Sequence, residues 1–222
     1  MTTADTGTQR KEYPQVLIFG AKLISYLFHP VFMPLVMAGV LYLVSPNSFT
    51  GIPQRELLTW AAIIFYNTIF IPLVAILLMK ALGFVKSFRM ETAKERIIPL
   101  MATMIFYFWV SQVFDRRSDV VVPLVLKVLL LGNLWGIIIL FLVNIFTKIS
   151  MHTASAGGMI GILIVLFITG HVNIAIPFCI ALLLAGMIGS ARMILHAHER
   201  GDIWLGYIIG ILVQIGAYLY LK

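Results

Sequence analysis

Apolar residues run almost without interruption through seven stretches of this 222-residue chain, at 31–43, 57–82, 97–114, 123–146, 154–170, 174–190 and 203–221. Most of these runs have roughly the length at which an α-helix crosses the hydrocarbon core of a bilayer, about 17–25 residues. They do not alternate apolar with polar positions, as the strands of a membrane barrel must. The connections are short. Residues 45–56 carry Pro46, Asn47, Gly51 and Pro53, 83–96 are polar and basic, 147–153 are brief and polar, and 192–202 hold a dense charged cluster. The pattern predicts an all-α, polytopic membrane helical bundle of six to seven transmembrane helices, folded as one transmembrane domain over 13–222. Residues 1–12 read as a mobile polar N-terminus. Residues 13–28 are apolar but interrupted by Gly20 and Lys22, and His29-Pro30 follows them. Proline removes a backbone donor and restricts the residue before it, so the helix breaks there. The stretch reads as an interfacial helix, or as the early part of a kinked first span.

Composition agrees with the pattern. Only 11% of the residues are charged and 61% are hydrophobic, whereas a soluble domain carries about a quarter charged residues. A net charge of +7 suits anionic lipid headgroups or phosphate. The basic residues are scattered between spans and form no continuous soluble face, which excludes nucleic acid as a partner. Cys179 is the single cysteine and forms no disulfide within the chain.

Each span reverses the side of the membrane, so 83–96, 147–153 and 192–202 are expected on one face. That face holds Lys86, Arg89, Lys94, Arg96, Lys148, Arg192 and Arg200, and the positive-inside rule assigns it to the cytoplasm. Trp60, Trp109 and Trp204 near span ends read as interfacial anchors. Asn67, Asn133 and Asn144, inside spans, read as hydrogen-bonding partners of other helices.

The three polar stretches share one chemistry. His198 and Asp202 are four apart and share a face if helical. A carboxylate on one imidazole nitrogen leaves the other free as a nucleophile. Arg192 lies six residues before His198, so a bend, for which Gly201 and the end of the sixth span are candidates, is needed to bring them together. Arginine presents a planar fork to phosphate oxygens. Ser150 and His152 stand at a helix start, where hydroxyl and backbone donors suit a phosphate and an imidazole can protonate a leaving oxygen. Arg89 and Arg96 add cations. Such a set supports metal-free phosphoryl transfer, with positive charge over the equatorial oxygens. Although His152, His196, His198 and Asp202 are metal-ligand types, converging arginines would repel a cation. No metal or organic cofactor is expected.

These stretches resemble the three signature motifs of the type 2 phosphatidic acid phosphatase superfamily. The family's third motif is Ser-Arg, five residues, His, three residues, Asp; here Ala191-Arg192 is followed at that spacing by His198 and Asp202. Gly206 and Gly210 resemble the glycine-marked last helix. The second motif, Pro-Ser-Gly-His, is matched by Ile149-Ser150-Met151-His152, and the first, Lys, six residues, Arg-Pro, by Arg89 and Arg96, with the proline displaced to Pro99. The resemblance implies a membrane lipid phosphatase. His198 would be the nucleophile, Asp202 its orienter and His152 the general acid, with Arg89, Arg96, Ser150 and Arg192 binding phosphate. It implies a lipid phosphomonoester or pyrophosphate as substrate, membrane lipids as surroundings, and a bacterial cytoplasmic membrane as location. In most bacterial relatives the site faces outward, opposite to the charge count. The other expectation is a non-catalytic transporter or lipid-binding subunit that retains an anion-binding face.

Overall fold

A computed structural model describes residues 12–84, 94–116, 121–170 and 172–222. Of the polar terminus only Glu12 falls within the described residues, and Arg89 lies outside them. The chain is all-helical, and among the described residues there is no strand. Six helices are long and apolar enough to cross a membrane. The first is built from α3 (Gln54–Phe65), a π turn (Tyr66–Phe70) and α4 (Ile71–Ala81). The others are α5 (Ile97–Asp115), α6 (Leu124–Phe146), α7 (Met151–Thr169), α8 (Ala175–Ile194) and α9 (Arg200–Leu221). Two short helices, α1 (Gln15–Leu27) and α2 (Met33–Val44), precede them.

The stretch 31–43, expected as a seventh span, folds as the 12-residue α2. At 1.5 Å per residue that is about 18 Å, short of the roughly 30 Å of hydrocarbon. The cause is local. Pro30 stops the chain before it, and Pro46 opens a 3₁₀ turn, Pro46–Phe49, just after it. α1 packs against α8. It buries Ala21 and Ser25 inward, and Val16, Phe19, Leu23 and Tyr26 face outward.

In the first long span, Pro72 has no amide hydrogen for the helical ladder, and the preceding turn widens to π. Asn67 Nδ2 and Thr68 Oγ1 donate to the carbonyls of Ile63 and Ile64, at 2.9 and 2.8 Å. Side-chain donors of this kind satisfy backbone groups that lipid cannot. Among the described residues Asn67 therefore serves its own helix and not a neighbour. Trp60 also departs from expectation: it is buried, with its ring 5.8 Å from that of Phe114, whereas Trp109 and Trp204 are exposed.

The contact that sets the fold is α7 on α9. α7 is the most buried span. Glycines four apart on each helix, Gly157 and Gly161 on α7 and Gly206 and Gly210 on α9, let the two backbones meet. A methyl group on Gly210 would run into the carbonyl of Ala154 and the amide of Gly158, and one on Gly206 into Thr153 Oγ1 and the carbonyl of Ser150. Small residues give close helix contacts in lipid because there is no water to expel and dispersion forces require near approach. One interhelical hydrogen bond, from Gln214 Nε2 on α9 to Asn133 Oδ1 on α6 at 3.1 Å, ties the third partner in.

Candidate functional site

The glycine contact sets the start of α7 beside the start of α9, and both starts carry site residues. Ser150 caps α7: its Oγ accepts from the Thr153 amide at 3.4 Å. His152 follows on the first turn. α8 ends at Ile194, and the chain then reverses at His196, which adopts a left-handed backbone with φ 47°. This is the bend that joins Arg192 to His198, at the end of the span as expected. Gly201 lies inside α9 and takes no part in it. His198 thus precedes α9, and Asp202 sits in its first turn. The Asp202 carboxylate accepts from the Glu199 amide at 3.2 Å in a reciprocal capping box.

His198 Nδ1 lies 2.9 Å from the main-chain oxygen of Lys148, and 3.8 Å from Asp202 Oδ2. The carbonyl can only accept, so Nδ1 carries the ring proton and Nε2 keeps its lone pair. Burial, and then the cations of Arg192 and Arg96, push His198 down to about 4, against the opposing pull of Lys148 and Asp202. The ring is neutral at physiological pH.

A cavity of about 460 Å³ opens in front of these groups. Its polar end is formed by His29, Arg96, His152, Arg192 and His198. Leu73, Ile76, Leu100 and Ile137 belong to its apolar walls. A second cavity of about 110 Å³, between Met33, Met37, Gly158 and Gln214, shares Pro30, Leu100, Tyr107, Ile137 and Met151 with it. The combined space is cationic at one end and mostly apolar beyond it, with Thr103, Tyr107, Asn133, Ser155 and Gln214 as the polar exceptions.

Both arginines are anchored by main-chain or hydroxyl oxygens. Arg96, buried, donates through one terminal nitrogen to the carbonyl of Ile149 at 3.4 Å. Its burial lowers its proton affinity and Asp202 counters the effect; a guanidinium stays charged regardless. Arg192 donates to Ser25 Oγ at 3.4 Å, and among the described residues its buried Nε has no hydrogen-bond partner. His152 is held by the same residue: Nε2 is 3.1 Å from the Ser25 carbonyl.

Of the residues singled out in the sequence, His198, His152, Arg96 and Arg192 meet at one cavity. Asp202 stands behind His198 and is not in the wall. Ser150 is completely buried under the helix start and does not reach the cavity either. Met151 does line it. Two residues carried no assignment in the sequence and belong to the site. Ser25 of α1 positions His152 and Arg192. His29 lines the cavity with its ring edge-on to His152, centroids 5.2 Å apart at 84°. The one signal for His29 was its place before Pro30, at a helix break between two apolar segments. Among the described residues, no group of three or more His, Cys, Asp or Glu side chains could hold a metal ion.

No family model, no curated protein and no solved structure matches the chain.

Proposed function

We propose that this membrane protein is a lipid-phosphate phosphatase that works through a phosphohistidine and needs no metal. One observation carries the reading: cations and imidazoles from separate parts of the chain converge in a cavity whose remaining lining is apolar apart from Thr103 and Tyr107. The third motif resembles that of the type 2 phosphatidic acid phosphatases, and the tautomer of His198 suits a nucleophile.

His198 Nε2 attacks phosphorus as the bond from phosphorus to the leaving oxygen breaks, and the electron pair goes to that oxygen. The oxygen takes the proton that the phosphoryl monoanion brings, relayed through Nδ1 of His152, whose Nε2–H stays on the Ser25 carbonyl. Water then attacks the phosphohistidine and gives its proton to His152 Nδ1, and the P–N electron pair returns to His198. Arg96 and Arg192 hold the equatorial oxygens, where charge concentrates. The lipid chain occupies the apolar walls, so the substrate is a phosphomonoester or pyrophosphate carried by membrane lipid. A bacterial cytoplasmic membrane is the proposed location.

The second reading is a phosphate-binding protein without turnover. The withdrawal of Ser150 and the intrusion of Met151, where the motif has glycine, favour it. The test is phosphate release from phosphatidate and from a polyprenyl pyrophosphate by purified protein in EDTA. Release that His198→Ala and His152→Ala abolish supports the phosphatase. Binding of inorganic phosphate with no release from any lipid phosphate supports the second reading.

A further inference from the structure

His29 lies outside all three motif-like stretches, 60 residues before Arg89, yet it stands in the cavity wall. The His29-Pro30 break places it there. The Phe32 amide donates to the His29 carbonyl at 2.9 Å and the Met33 amide to the Pro30 carbonyl at 3.2 Å, a tight turn that leads into α2. Within that turn the Val31 amide donates to His29 Nδ1 at 3.4 Å. An Nδ1 that accepts leaves the ring proton on Nε2. Among the described residues His29 makes no other hydrogen bond, so that N–H is available to a ligand. Burial and the nearby Arg192 both lower its proton affinity, which keeps the ring neutral. A neutral donor suits this spot, because it adds a hydrogen bond to an anion without adding a third positive charge beside two guanidinium groups.

We propose that His29 is a further phosphate-binding residue, donating Nε2–H to a phosphoryl oxygen of a lipid headgroup or of free phosphate. The inference rests on the reading of the cavity as a phosphate site and adds a donor from the N-terminal part of the chain. His29 and Arg192 would then grip the phosphoryl group from the side where His152 stands, with His198 and Arg96 completing the polar end.

The test is calorimetric binding to purified full-length protein in detergent micelles, in two arms, one with inorganic phosphate and one with a short-chain phosphatidate in its non-hydrolysable phosphonate form. His29→Ala is expected to weaken both by about tenfold or more, the usual consequence of losing a hydrogen bond to a charged group. His29→Gln keeps an N–H donor at a similar reach and should bind within a few-fold of the unsubstituted protein. His29→Phe keeps the ring volume and should behave as His29→Ala. If His29→Phe binds both ligands as well as the unsubstituted protein does, the ring only fills space and the proposal is overturned. If His29→Ala weakens the phosphatidate but not inorganic phosphate, His29 touches the lipid and not the phosphoryl group, which also overturns it. If the unsubstituted protein binds neither ligand, the phosphate-site reading itself fails.

Discussion

His198 donates its Nδ1 proton to the Lys148 carbonyl at 2.9 Å, whereas the Asp202 carboxylate stands 3.8 Å away. A main-chain oxygen therefore sets the tautomer that a carboxylate was expected to set. The carbonyl belongs to the connection between α6 and α7, so the alignment of α7 on α9 orients the ring. Asp202→Asn is accordingly expected to lower phosphate release by about tenfold, the loss of one charge-assisted contact, and His198→Ala to abolish it. Asp202→Asn as inactive as His198→Ala would mean that the carboxylate, and not Lys148, orients the nucleophile.

The pH dependence should report the same ring. An imidazole attacks only when unprotonated. His198 is pushed down to about 4 by burial and two arginines, so it keeps its lone pair as pH falls past the ordinary histidine value of about 6.5. It loses the lone pair as pH falls through about 4. The acid limb of kcat/KM, corrected for the substrate's own ionisation near pH ~6, belongs near pH 4. Arg192→Gln removes one cause and should move the limb upward. Burial remains, so the limb should stay below the ordinary value. A limb that does not move in Arg192→Gln would mean that this arginine does not act on His198.

Gly210→Ala is expected to lose both stability and activity. The added methyl group meets backbone on α7, at the Ala154 carbonyl and the Gly158 amide, and backbone cannot step aside as a flexible side chain can. Overpacking of this kind costs about 1–3 kcal/mol. Thermal unfolding in detergent measures it. Gly186→Ala, inside α8 with nothing near its added methyl group, is the control and should unfold no lower than the unsubstituted protein, because alanine suits a helix interior better than glycine.

Ser150 separates two roles. As an N-cap its replacement by alanine should cost about 1 kcal/mol of stability. Because it does not reach the cavity, phosphate affinity should stay within a few-fold. A tenfold or greater loss of affinity with unchanged thermal stability would place the hydroxyl on the phosphate after all.

Hydrophobicity alone determined most of the architecture, because a bilayer requires long uninterrupted apolar helices and the chain supplies them. Parity along those helices also brought 147–153 and 192–202 to one face, and the motif spacing picked out Arg96, His152, Arg192 and His198. What only the tertiary structure decided is how those side chains are held. Ser25 and the Lys148 carbonyl could not be read in advance: a hydroxyl on a short helix has no distinctive spacing, and every residue has a carbonyl. Ser150 and Met151 exchanged places at the cavity because the first turn of α7 rotates one inward and the other outward. α2 fell short of a full span because prolines bracket it, and His29 entered the site because that same break turns the chain back toward α7. These outcomes depend on how closely α7 and α9 approach and on where the chain reverses, and both are settled only when helices distant in sequence pack together.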